Sequence, residues 1–131
     1  MIGLDTNVLV RYLTQDDALQ SSKATDLIER TLTESEPGYI SIVAMVETIW
    51  VLERTYEFSA TDISVVIERM LQAPVLTVES EQEVFTAMVA LKERRASFSD
   101  ALIGALGAKT GCSRTVTFDR RAARLGSFQL L

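Results

Sequence analysis

Residues 1–10, Met-Ile-Gly-Leu-Asp-Thr-Asn-Val-Leu-Val, constrain the fold more than any other stretch of this chain. Ile2–Leu4 is short and apolar, and reads as a buried strand or the start of a core helix. Asp5, Thr6 and Asn7 are residues that favour helix caps, and Val8–Leu13 resumes an apolar, helix-compatible run. The sequence therefore predicts strand, polar tip, helix. Open parallel sheets of such units bind ligands at the carboxyl ends of their strands, which is where Asp5 would stand. Taken alone, Asp5 is adequately explained as an N-cap, so a function must come from other carboxylates converging on the same edge.

The same alternation continues along the chain. Leu19, Ala24, Leu27, Ile28 and Leu32 recur at helical spacing, Glu36-Pro-Gly38 is a breaker, and Tyr39–Ser41 is a short strand. Helices are predicted over Val43–Arg54 and Ser59–Gln72, and a strand over Pro74–Val78. Ser80-Glu-Gln-Glu83 is a capping-box pattern opening a helix, which ends near Arg94. Another helix runs Ala101–Lys109 to Gly111, a strand Ser113–Phe118, a short helix Asp119–Leu125, and a last edge strand Phe128–Leu131. Strands alternating with helices indicate a parallel sheet covered on both faces. At 131 residues, one α/β domain over residues 1–131 is expected.

Composition narrows the chemistry. The chain has no histidine and a single cysteine, Cys112. Histidine-based nucleophilic triads, histidine general bases and histidine or thiolate zinc sites are thereby excluded. A lone cysteine points to a reducing, cytoplasmic setting. No apolar run reaches membrane length, and Asp5 interrupts any signal-peptide pattern. The net charge of −5 is unevenly spread: residues 1–91 sum to −10 and residues 92–131 to +5. Such asymmetry fits either a polyanion-facing end or a solvated, salt-bridged surface.

Catalysis would then rest on carboxylates. Glu47 has Val43, Ala44, Trp50 and Val51 three and four residues away, so on a helix it reads as an acid on a buried stripe. A buried acid must be neutralised, ion-paired or metal-bound, unless that face is less buried than it looks. Asp100 lies in the first turn of its helix, and Asp119 follows the strand ending Thr117-Phe118. Each is explained singly by capping, yet Asp5 and Asp119 would share one edge of a parallel sheet. Gathered carboxylates repel one another. Mg²⁺ or Mn²⁺, which prefer oxygen ligands and suit phosphate chemistry, would resolve that conflict.

Hydrophobic-Asp5-Thr6-Asn7, Glu47 in a helix after Ser41, Phe98-Ser-Asp100-Ala-Leu-Ile103, and Thr117-Phe-Asp119-Arg-Arg-Ala-Ala123 together resemble the PIN-domain ribonucleases. The match is nearest to the VapC-type toxins of bacterial toxin–antitoxin pairs. The resemblance spans the chain and includes the order and spacing of the four acids. It implies a three-layer α/β/α domain with a mainly parallel sheet of four to five strands, the first central. Asp5, Glu47, Asp100 and Asp119 would be the acidic quartet around Mg²⁺ or Mn²⁺, supported by Asn7 and Thr117. It further implies an RNA substrate, a homodimer, and a cognate antitoxin that holds the enzyme inactive. Arg114, Arg120, Arg121 and Arg124 flank Asp119 and would grip RNA phosphates.

Other acid-at-strand-end proteins fit less well. A haloacid-dehalogenase-like phosphatase would want a second Asp where this chain has Asn7, and a receiver domain an acidic pair at the first strand. Neither accounts for Glu47. A non-catalytic PIN-like scaffold would be expected to have lost some of the four acids.

Overall fold

The computed structural model describes all 131 residues, which form two compact bodies. The first comprises Met1–Ser59 and Arg69–Glu79, the second Ala60–Glu68 and Ser80–Leu131. Helix α4 (Ala60–Gln72) contributes to both.

The first body is built on three short parallel strands, β1 (Ile2–Gly3), β2 (Gly38–Ile40) and β3 (Leu76–Val78), in the order β1-β2-β3. Ile2 lies opposite Gly38, and Gly38 opposite Leu76. Gly38 was expected only to break the chain. It is instead the first residue of β2, and a Cβ there would come within 2.8 Å of both Leu4 and Leu32 side chains. In this sheet β1 pairs with β2 alone, and β2 is the middle strand of the three. At two residues, β1 has little backbone to offer before the chain turns into helix.

Helices α1 (Thr6–Thr14), α2 (Ala18–Asp26) and α3 (Ile42–Arg54) lie in this sheet's connections, with α1 packed against both α2 and α3. Asp17 and Ser41 cap α2 and α3 through their side chains, accepting from Gln20 N at 2.8 Å and Ala44 N at 3.1 Å. Past α2 the chain makes one π-helical turn, Leu27–Thr31, closed by Leu32 N donating to Leu27 O. Leu9, Ile40, Met45, Ile49 and Leu52 are sealed in the core, whereas Leu19, expected inside, is exposed.

Asp16 lies in the turn between α1 and α2. It ties α1 to the end of α3: its carboxylate accepts from Arg11 Nη1 at 3.0 Å, Thr14 Oγ1 at 2.9 Å and the Tyr56 hydroxyl. The hydroxyls of Tyr56 and Thr14, then the Arg11 charge, hold the Asp16 carboxyl below its ordinary value.

The second body pairs α5 (Glu81–Lys92) with α6 (Phe98–Thr110), followed by the parallel strands β4 (Thr115–Thr117) and β5 (Phe128–Leu130). A 3₁₀ turn, Ala122–Arg124, lies between the two strands. Ser97 caps α6, and Gly111 ends it in a left-handed conformation, φ 105°. The capping box at Ser80 does not form. Ser80 adopts φ 52° with no side-chain cap bond, and Lys109 Nζ reaches Ser80 Oγ and Glu83 Oε1, both at 3.2 Å. Strand β5 lies against α6 at Gly104, where a Cβ would come within 2.6 Å of the Phe128 ring. The strands are all parallel and alternate with helices, as expected, in sheets of three and two. No helix is long and apolar enough to cross a membrane.

The Asp16 network has a definite pH signature. A carboxyl whose folded pKa is depressed contributes stability above its unfolded value, near 3.9, and loses it as pH falls through the lower folded value. Asp16→Asn should therefore lower the urea midpoint at pH 7, and the deficit should shrink towards pH 3. A deficit independent of pH would mean that Asp16 acts only as a neutral acceptor.

Candidate active site

The first body carries Asp5, Asn7 and Glu47. Leu4 is buried and donates its N–H to Tyr39 O at 2.9 Å, which completes the strand. One residue later Asp5 is still extended (φ −78°, ψ 157°), and its carbonyl accepts from Val8 N and Leu9 N. Asp5 is thus the N-cap of α1 by backbone geometry. Its carboxylate nevertheless takes none of the free N–H groups at the helix start, unlike the side chains of Asp17, Ser41 and Ser97, which each accept one. The capping explanation for an acid at this position does not hold, and the exposed carboxylate is left for another partner.

Thr6 is the residue that sequence reasoning missed. It is only 5% exposed, and its hydroxyl donates to Glu47 Oε1, tying the start of α1 to the middle of α3. Its signal was its place in Asp-Thr-Asn: with Asp5 and Asn7 outward on a first helical turn, the residue between them points in. Glu47 itself corrects the expectation of a buried acid. It is exposed, because Val43 and Trp50, four and three residues away, are themselves 76% and 56% exposed. With Ile42, Val43, Val46 and Trp50 it lines an open cavity of about 520 Å³. Asn7 does not share that cavity. It lines a second one of about 310 Å³ along α1 and α2, with Val8, Arg11, Gln20, Lys23, Ala24 and Leu27.

The second body carries the other candidates. Asp100 is half-buried in the first turn of α6, where Ser97 Oγ accepts its backbone N–H at 3.2 Å, so its carboxylate is not needed as the cap. Asp119 is a working cap: its Oδ1 accepts from Arg121 N at 2.8 Å and Ala122 N at 3.3 Å. Thr117 Oγ1 accepts from Asp119 N at 3.0 Å and so sets the turn. Arg114, Arg120, Arg121 and Arg124 are exposed, and none is ion-paired. Within neither body do three acidic side chains gather closely enough to hold a metal among themselves.

Two of the acids should therefore differ in their effect on stability. Asp5→Asn should leave the melting temperature unchanged, since no cap bond is lost. Asp119→Ala should lower stability by about 1 kcal/mol, the usual worth of a cap. Equal losses in thermal unfolding would contradict the geometry at Asp5.

Residues 2–127 match the PIN domain. A VapC ribonuclease of Aquifex aeolicus (strain VF5) is 26% identical over 123 residues, covering 94% of this chain and 90% of that protein. The match to the domain takes in nearly every residue from the Asp5 strand tip to the turn after Asp119: the chain belongs to the PIN domain family.

Proposed function

We propose that this chain is a metal-dependent endoribonuclease and the toxin of a toxin–antitoxin pair. The observation that carries the reading is Asp5, a strand-tip carboxylate in N-cap geometry that caps nothing. Membership of the PIN domain family and the likeness to a VapC ribonuclease support it.

The donor chemistry fits a hard divalent cation. Asp5, Glu47, Asp100 and Asp119 offer oxygen only, and the chain has no histidine to favour a softer metal. Mg²⁺ or Mn²⁺ would be held by these four acids, and when bound would supply charge neutralisation at the phosphodiester and water activation. The remaining work falls to the chain's own groups. The Thr6 hydroxyl occupies Glu47 Oε1, which leaves Oε2 to accept a proton from an attacking water. Asp119 Oδ1 is likewise engaged, which leaves Oδ2 without a backbone partner. Thr117 holds that turn, Asn7 offers its amide beside Asp5, and Arg114, Arg120, Arg121 and Arg124 take up phosphates. In-line attack by water leaves a 5′-phosphate and a 3′-hydroxyl.

A toxin requires restraint, and the chemistry of the four acids supplies a rationale. A guanidinium forms bidentate bonds with paired carboxylates, so an arginine of a cognate antitoxin would compete with the metal. The cavity along α1 and α2 has an apolar lining from Val8, Ala24 and Leu27 that would receive an amphipathic helix of the same partner. A homodimer working in the cytoplasm completes the proposal.

Purified protein should cut total RNA with Mg²⁺ or Mn²⁺ and not with EDTA. Asp5→Asn and Asp100→Asn should each lower cleavage by about a hundredfold or more. Cleavage that survives EDTA, or ends carrying a cyclic phosphate, would overturn the mechanism. The partner is tested by co-expressing the neighbouring small open reading frame and replacing its arginines one at a time. Inhibition should be relieved at one of them, and inhibition that outlasts the loss of all would refute the competition.

A further inference from the structure

Phe118 is the most exposed large apolar side chain, at 81%. A single exposed phenylalanine is ordinary on a protein surface; its surroundings are not. It stands between Thr117 and Asp119, and Thr117 Oγ1, Asp119 Oδ1 and Asp119 O together accept four backbone N–H groups, those of Asp119, Arg121, Ala122 and Ala123. The ring is therefore carried on a pinned turn. Along β4, Thr115 faces α6, with its hydroxyl 3.0 Å from where a Cβ on Gly107 would lie. Side chains alternate along a strand, so Val116 takes the opposite face, where it is 52% exposed, and Phe118 follows just past the strand's end. Arg114, Arg120, Arg121 and Arg124 lie close to Phe118 along the chain, exposed and without acidic partners.

An exposed aromatic ring carried on a hydrogen-bonded turn, with unpaired arginines close by along the chain, matches the chemistry of single-stranded nucleic acid. Bases stack on aromatic faces while cations track the phosphates. A lipid surface would want several apolar side chains in a row, and a protein partner would want anions to meet four guanidinium groups. We propose that Phe118 is a stacking platform for one unpaired base of the RNA substrate, a specificity residue adjoining Asp119. The proposal rests on the nuclease reading and adds to it where the strand is gripped. It also explains why substrate would be single-stranded: a paired base has no free face to offer.

The experiment measures binding of a short single-stranded RNA carrying one 2-aminopurine, in EDTA, to the unmodified chain and to Phe118→Leu and Phe118→Trp. Unmodified protein and Phe118→Trp should quench the fluorophore. Phe118→Leu should lose the quench and bind about tenfold more weakly, with an unchanged melting temperature and an unchanged salt slope. Neutralising Arg120 and Arg121 together should instead flatten the salt slope. Wild-type quench and affinity in Phe118→Leu would overturn the platform. So would a dimer that Phe118→Asp dissociates without loss of RNA affinity, because the face would then belong to a second copy. Metal-dependent cleavage is scored separately. Cleavage together with either of those results removes only the platform, whereas Phe118-dependent binding without cleavage removes only the nuclease reading.

Discussion

The N-terminal edge of this protein depends on one constraint: the chain passes from strand to helix across a single residue. Leu4 is still in the ladder with Tyr39 O, and Thr6 is already helical. Asp5 alone must turn the backbone, and it does so with its carbonyl rather than its carboxylate. Everything nearby follows from that abruptness. Thr6 is forced inward, where its hydroxyl needs a partner and finds Glu47. The position of α3 relative to α1 is thereby coupled to the same turn. Asp5 and Asn7 are left facing outward, on a helix start whose free N–H groups favour negative charge.

Much of this was legible in the sequence, because caps and breakers act locally. Gly111 ends its helix where expected, and Ser41 and Ser97 cap theirs by ordinary local chemistry, although α6 opens at Phe98 rather than at Ala101. Local chemistry misleads where a tertiary contact competes. At Ser80 the Lys109 ammonium takes the hydroxyl that a capping box would have used. At Glu47 the apolar neighbours were real, but periodicity reports which residues share a face and not whether that face is covered. Val43 and Trp50 are in the open, with Arg54 stacked over the Trp50 ring at 5.2 Å. Leu19 misled for the same reason. Phe118 was unreadable because an aromatic at the end of an apolar strand is most simply core.

The acids divide by how their oxygens are spent. Asp119 serves its own turn, and Glu47 gives one oxygen to Thr6, while Asp5 and Asp100 have backbone roles that leave their carboxylates unused. Residues that would be interchangeable in a motif are thus unequal in the fold. The orphaned hydroxyl of Thr48, fully buried beside Glu47 with no partner, marks α3 as another place where packing alone does not explain the residue present.

The pairing of β4 with β5 bears on the order in which the protein comes into being. Thr115, Val116 and Thr117 find their ladder partners only in residues 128–130, and Gly104 is covered only when Phe128 arrives. A ribosome supplies these segments in sequence, and early-emerging parts settle first. The strand that leads into Asp119 therefore remains a bare edge until synthesis has passed residue 130. A nascent chain stalled or cut short before that point would carry Asp5 on a finished strand tip and Asp119 on an unfinished one.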